Sequence, residues 1–496
     1  MSSSVETGRI TTDIPARMDR LPWAGWHWLI VAGLGTVWIL DGLEVTIVGS
    51  MSDALQKPLG TGLGMTSSGI GLAGAVYVLG ACLGALFFGQ LTDRFGRKKL
   101  FLVTLGVYLV GTVLTAFSMN PMWYFACRFV TGAGVGGEYA AINSAIDEMI
   151  PARYRGRVDL AINGSFWLGA AAGSLLTVAL LNPSLVPDKV GWRLAFGLGA
   201  ILGLGILIVR RHVPESPRWL FIHGKEDEGE QIVQDIEQRV ADDTGRRLEP
   251  VDETITIRQR KTIGLGTIAR TVFTLYPKRT VLCLALFIGQ AFLYNAFFFT
   301  YGDSLTKFLG VKTVGWYIAA FAVSNFLGAF LLGPLFDTIG RVKMIAGTYI
   351  VSGVLLAVTG TMLGGLNAMT LTLMGAIVFF FASAGASAAY LPASEVFPME
   401  TRALCIAFFY AVGTAAGGIS GPLYFGHLID TASKSHDITG IAPGYFIGAG
   451  LMVVGGLVEA VLGVRAEQQT LESIARPLTA EDAGTGSGFE PEPAPA

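Results

Sequence analysis

The stretch GQLTDRFGRKK, residues 89–99, sets Asp93, Arg94, Arg97, Lys98 and Lys99 between two apolar runs of about membrane-spanning length. It recurs as GPLFDTIGRVK, residues 333–343, 244 residues on from Gly89 to Gly333. A second pattern recurs at nearly the same offset. Glu148, Pro151 and Arg155 form E-x-x-P-x-x-x-R, and Glu395, Pro398 and Arg402 form it again 247 residues later. Two patterns repeated at one spacing argue for two homologous halves.

The rest of the chain fits a membrane reading. Of 496 residues, 52% are hydrophobic and only 15% charged, with mean hydropathy +0.55. A soluble domain carries about 25% charge. A crossing helix needs ~20 apolar residues. On that measure there are twelve spans, near 26–50, 67–90, 99–118, 121–149, 156–181, 191–213, 280–303, 313–336, 342–362, 368–396, 401–430 and 441–465. Lipid offers backbone groups no partner, so such runs are helices. The expected fold is an all-α membrane protein with twelve transmembrane helices in two pseudo-symmetric six-helix bundles, residues 26–213 and 280–465. Residues 1–25 read as a cytoplasmic tail and 214–279, polar around HGKEDEGEQIVQDIEQRVADDTGRR, as a cytoplasmic linker with short helices. Residues 466–496, ending GTGSGFEPEPAPA, read as a largely disordered tail. Basic residues follow spans two, four and eight, so the positive-inside rule places both termini in the cytoplasm of a plasma (inner) membrane protein.

Several function classes drop out. A net charge of −2 gives no reason to expect nucleic acid. Cys82, Cys127, Cys283 and Cys405 lie far apart in apolar segments and read as buried thiols. There is no phosphate loop, metal-ligand spacing or nucleophile motif, so neither an enzyme, a cofactor, a metal site nor an ATP-driven pump is expected. GAGVGG, residues 132–137, fits G-x-G-x-x-G, but inside an apolar span its glycines read as helix-packing positions.

G-x-L-x-D-x-x-G-R-x-K between spans two and three resembles the signature loop of the major facilitator superfamily. PESPRWL (214–220), SEVFPMETR (394–402), RFVTGAGVGG (128–137) and QTLES (469–473) are similar to motifs of its sugar porter branch. VRAE, residues 464–467, departs from that branch's usual PETKG. The resemblance implies alternating access, with two bundles rocking about a central site. The repeated charge at the cytoplasmic ends of the second and fourth helices reads, from the repeats themselves, as a conformational gate built from Gly89, Asp93, Gly96, Arg97, Glu148 and Arg155 in one half and Gly333, Asp337, Gly340, Arg341, Glu395 and Arg402 in the other; the alternative is that the positive charge merely holds the loops inside.

Charge inside a span is costly and marks function by default. WILDGLEVTIVGS, residues 38–50, puts Asp41 and Glu44 three apart on one helix face. Arg128 in span four is the natural partner. In proton-coupled sugar porters a helix-one acid pairs with this Arg, and the alignment puts Glu44 in that place. Asp41 has no counterpart there; DGLE resembles instead the D-G-x-D of aromatic-acid proton symporters. The alternative is that both acids sit hydrated at the outer interface. Glu138 reads as a second proton site, a substrate contact or a structural partner of Arg128. Asp303 and Glu459 fall close enough to span ends to reach water.

For the solute, the resemblance nominates Gln290 and Asn295 in GQAFLYNAFFFTY (289–301), Asn163 in span five and Tyr390 in span ten. Amides donate and accept, which suits hydroxyl groups; the alternative is interhelical bonding. Gly289 and Leu293 replace residues of the sugar porters' Q-Q-x-x-G-x-N, and Tyr390 replaces their Trp. The expected function is proton symport of a small polar organic solute, either a sugar or polyol or an organic-acid metabolite. A solute sensor on the same scaffold is the alternative. Solute, protons and the lipid bilayer are the expected partners, and a single chain is expected to suffice.

Overall fold

The computed structural model describes residues 6–210, 214–251, 253–260, 265–398, 401–467 and 469–475. Residues 476–496, expected to be disordered, lie outside the described residues. Twelve long helical units follow one another. The first half holds α1 (Gly25–Ser50), α2 (Ser67–Phe95), α3 (Arg97–Ala116), α4 (Pro121–Met149), α5 (Arg155–Gly164 then Phe166–Leu180) and α6 (Asp188–Arg210). The second holds α7 (Pro277–Leu309), α8 (Val314–Thr338), α9 (Arg341–Met362), α10 (Ala368–Ala388 then Tyr390–Glu395), α11 (Arg402–Gly413, continued through a π turn to Ala432) and α12 (Ala442–Leu462). Among the described residues, helices at ten of these units, all except α4 and α6, are long and apolar enough to cross a membrane.

Local chemistry sets the helix ends. Asn120 accepts from Trp123 N at 2.9 Å and caps α4, whose first residue is Pro121. Asn367 caps α10 in the same way through Thr370 N. Gly96 and Gly340, with φ of +93° and +114°, break α2 from α3 and α8 from α9. A residue with a Cβ is strained there, which explains a glycine at that place in both repeats. α7 runs six residues past its expected end and stops at Gly310, φ +64°.

Small residues let the helices touch backbone to backbone. A Cβ on Gly42 would sit 1.8 Å from Phe166 O, and one on Gly169 1.6 Å from Ile39 O, so α1 and α5 cross in contact. The GAGVGG glycines do the same for α4. Gly132 faces Tyr77 O on α2, Gly134 faces Tyr108 N on α3, and Gly137 meets Phe88.

The amino-terminal segment differs from the plain tail expected. β1 (Glu6–Thr12) pairs antiparallel with β2 (Ile255–Arg260) of the linker. The short helix Ile14–Asp19 then docks on the linker helix Glu226–Thr244. Arg17 bonds Glu237 at 2.7 Å and Glu230 at 2.8 Å, and Arg20 also reaches Glu237. Tail and linker therefore form one layer under the first bundle. Asp303 and Glu459 are buried rather than reaching water. α7 runs past Asp303 to Leu309, and beyond Glu459 the carboxy-terminal segment, expected as disordered tail from 466, packs with Ala466 and Leu471 buried.

Candidate transport site

Between the halves lies a cavity of about 150 Å3. Ten of its twenty lining residues are aromatic, among them Trp38, Tyr77, Tyr139, Tyr294, Tyr390 and Tyr410. The other polar side chains are neutral: Asn163 from α5, and Gln290, Asn295, Ser387 and Thr414 from the second half. No lining residue is charged and none is exposed. Clefts for drug-sized ligands hold roughly 300–1,000 Å3, so this one suits a single-ring solute.

The amides stand differently. Asn163 Nδ2 donates to Asp159 O and Oδ1, both at 3.0 Å, and Asn295 Nδ2 donates to Ala291 O at 2.9 Å. Gln290 makes no hydrogen bond among the described residues and is only half-buried, so its amide is available to a solute. All four nominated solute residues line the cavity.

Charge lies behind the aromatic wall, in the first half. Glu44 and Arg128 are 2% and 1% exposed, which removes the hydrated-interface alternative. Arg128 Nη1 donates to Glu44 Oε1 at 2.8 Å, and Thr112 Oγ1 donates to Glu44 Oε2 at 2.7 Å. The Arg128 guanidinium lies 4.4 Å from the Tyr77 ring centre, so that ring stands beside the cation and also lines the cavity. Asp41, 5% exposed, is held otherwise. Tyr139 OH donates to its Oδ2, and Tyr77 OH lies 3.4 Å from its Oδ1. Asp41 and Glu138 line a separate void of about 10 Å3 with Tyr108, between α1, α3 and α4. Glu138 is thus a neighbour of Asp41 and not part of the solute cavity lining.

The halves meet on both sides of the cavity. On the side of the tail and linker Asp337 Oδ2 accepts from Arg157 N at 2.9 Å, so a carboxylate of α8 sits on the amino-terminal end of α5. Arg341 Nη1 donates to Asp337 at 2.8 Å, and its other nitrogens donate to Glu395 at 3.2 and 3.1 Å. Arg155 Nη1 lies 4.0 Å from Glu395 Oε1, across the halves. Gly89 on α2 abuts Ala407 on α11, while Gly333 on α8 abuts Leu160 on α5. In the first half Arg97 pairs with Glu148, which also accepts from Ser216 Oγ. Glu215 accepts from Arg97 N at 2.9 Å, and Glu467 accepts from Arg341 N at 3.4 Å. The glutamate of VRAE thus stands at the start of α9 as Glu215 stands at the start of α3. Arg402 is fully buried, and the Asp93 side chain lies outside what the structure describes. On the opposite side Ser68 Oγ donates to Asp430 at 2.7 Å, Lys307 pairs with Asp430 at 3.3 Å, and Gly49 abuts Phe298 O.

Sequence reasoning missed the rings. Trp38, Tyr77, Tyr139 and Tyr410 were not nominated, and nothing in one sequence separates them from lipid-facing or core aromatics. The available signal was the adjacency of Tyr139 to Glu138 in a polar-bearing span.

Residues 29–478 match the model of the family described as sugar (and other) transporter. The niacin transporter NiaP of Acinetobacter baylyi is 27% identical over 469 residues, covering 93% of this chain and 99% of that protein. Myo-inositol transporter 2 of Schizosaccharomyces pombe is 26% identical, covering 85% and 75%. The proton:xylose symporter XylE, bound to 6-bromo-6-deoxy-D-glucose, superposes with TM-score 0.72 at 19% identity, covering 90% of this chain and 98% of that one.

Proposed function

The chain belongs to the sugar (and other) transporter family, and within it we propose a proton symporter that imports a small single-ring polar solute by alternating access. It is a multi-pass membrane protein, and on this reading it works in the plasma (inner) membrane with both termini cytoplasmic. One observation carries the proposal. A neutral, aromatic cavity, with the halves in contact on either side of it, is joined directly, through the Tyr139 hydroxyl, to a buried carboxylate. The solute needs no charge partner from the lining. The coupling acids stand one side chain behind it.

The residues take distinct roles. Gln290, Asn163 and Asn295 orient hydroxyl, amide or ring-nitrogen groups, and the rings cover the solute's faces. Glu44, clamped by Arg128 and Thr112, and Asp41, held by two tyrosines, are the proton carriers, with Glu138 beside Asp41. Asp337, Arg157, Arg341 and Glu395 hold the inner gate closed and separate when the bundles rock. The Gly89–Ala407 and Gly333–Leu160 contacts are the paired surfaces that part with them. The relatives named for niacin and myo-inositol both support a one-ring solute, and the lack of a lining cation favours a neutral one.

The test uses proteoliposomes with a pH-sensitive dye trapped inside. Niacin, myo-inositol and xylose are added in turn, with the Glu44→Gln protein as blank because carboxylic acids leak as neutral species. Internal acidification with one solute, absent in the blank, is the expected result. Uptake without acidification removes symport from the reading.

A further inference from the structure

We propose that Tyr139 is a positioning residue that links occupancy of the solute cavity to the protonation of Asp41. The inference rests on the symport reading and adds the part that makes the two events depend on each other.

Tyr139 has three contacts that no other side chain described combines. Its hydroxyl donates to Asp41 Oδ2. Its ring is a wall of the cavity and lies flat on Trp38, centroids 4.5 Å apart and planes 11° apart. Its edge meets Tyr410 of the second half, centroids 4.7 Å apart at 86°. A solute entering the cavity bears on the ring. A rocking second half bears on it through Tyr410. Both movements reach Asp41 through one rigid phenol.

The proton bookkeeping follows from hydrogen-bond chemistry. A carboxylate only accepts, so it suits two tyrosine hydroxyls pointing at it. Once Asp41 takes a proton, one of its oxygens becomes a donor, and the facing hydroxyl must turn or withdraw. A solute that turns the Tyr139 hydroxyl away from Asp41 therefore favours the protonated carboxyl, as symport requires, and a hydroxyl that returns when the solute leaves favours the carboxylate. The proton joins the carboxylate from the compartment the gate opens to, and leaves to the opposite one after the bundles rock.

Several groups share that environment. Glu44 lies on the same helix, Tyr77 comes from α2, Tyr108 from α3 and Glu138 from α4, while Tyr390 and Tyr410 face Asp41 from the second half. Tyr77 is the weaker tether, at 3.4 Å, and it is occupied on its face by Arg128. On its other side Asp41 borders a small void with Glu138 and Tyr108, apart from the solute cavity. Such a void is close to the size of one water.

The experiment compares the parent, Tyr139→Phe, Asp41→Asn and the double variant in proteoliposomes. The probe is whichever of niacin, myo-inositol and xylose the parent accumulates. Phe keeps the ring, and thermal unfolding in detergent close to the parent's reports folding; counterflow at equal pH on both sides is measured beside the proton ratio, so that any loss of solute binding is counted apart from a loss of coupling. Protons moved per solute are expected to fall at least about tenfold, and the pH profile of apparent affinity to flatten. The double variant is expected to match Asp41→Asn alone, since Tyr139 acts through that carboxylate. Tyr77→Phe is expected to lower the proton ratio less than Tyr139→Phe does, since its hydroxyl is the longer contact. A Tyr139→Phe protein with the parent's proton ratio and pH profile overturns the proposal and leaves symport standing. If Tyr139→Phe does not fold, a double variant less coupled than Asp41→Asn overturns it, and an Asp41→Asn protein with normal coupling does so by itself. A parent that accumulates none of the probes, or one of them without acidification, overturns both.

Discussion

At mid-span the first half buries Asp41, Glu44, Arg128 and Glu138, whereas the second half offers Gln290, Asn295, Ser387, Thr414 and rings. The two halves share a repeat, a helix count and glycines of positive φ at equivalent breaks. They do not share chemistry. Buried charge is tolerable only where paired and hydrogen-bonded, and the first half supplies Thr112, Tyr77 and Tyr139 for that purpose. On the proposed reading the second half meets the solute with neutral groups, and the duplicated scaffold separates a group that changes charge from groups that only recognise.

The largest effect is expected on the charged side. Glu44→Ala leaves Arg128 buried without its anion, and breaking one partner of a buried pair costs about 3–5 kcal/mol. Thermal unfolding in detergent, compared with Glu44→Gln, measures it. Glu44→Gln is expected to keep most of the stability and the counterflow but lose proton-driven accumulation. Full accumulation by Glu44→Gln would break the division between the halves.

On the neutral side Gln290→Ala removes the one cavity amide without a protein partner. One lost hydrogen bond of about 1 kcal/mol corresponds to a several-fold weaker Kd, with the proton ratio unchanged. Equilibrium binding and the ratio assay together check this. A changed ratio would mean that the second half also takes part in coupling.

The proposed gate sharpens the comparison on the side of the tail and linker. Asp337→Asn weakens charge-assisted bonds to Arg157 N and Arg341. The inner side is then expected to open more often, by a few-fold in the labelling rate of a cysteine placed in the cavity. Glu215→Gln, at the start of α3 inside one half, is expected to change that rate less, because Glu215 bonds Arg97 N and does not cross between halves.

The architecture was readable because its markers are backbone necessities. Gly96 and Gly340 stand where a Cβ is strained, and long apolar runs have no fold but helices in lipid. Asn163, Gln290 and Asn295 could be nominated because they fall at places where the sugar porter resemblance puts solute-binding amides. Tyr139 could not: the chain has 14 tyrosines and 30 phenylalanines, and only the fold selects which of them face one another. The partner of Asp41 was hidden for the same reason. Glu459 was misplaced because α12 is followed by packed chain instead of water. β1 was invisible because its partner, β2, lies some 245 residues away and ETGRITT carries no apolar alternation.

The smallest effect belongs to the layer beneath the bundles. Burial pushes the Glu237 carboxyl up, but hydrogen bonds from Arg17 and Arg20 outweigh it and hold the group below its usual range. A depressed carboxyl contributes stability that is present above its unfolded value, ~4.3, and is lost as pH falls through the folded one. The docked amino-terminal helix is therefore expected to stay put at neutral pH and to loosen only in acid. Arg17→Ala should do at pH 7 part of what acid does to the parent, removing the bonds to Glu230 and Glu237. Partly exposed pairs of this kind are worth about 1 kcal/mol or less, so a few-fold faster proteolytic nicking near residues 6–20 is the expected size. Solute counterflow should be unaffected, because neither half relies on this layer for its cavity. Slowed counterflow in Arg17→Ala would make the layer part of the inner gate, acting where Asp19 accepts from Ala152 N beside Arg155.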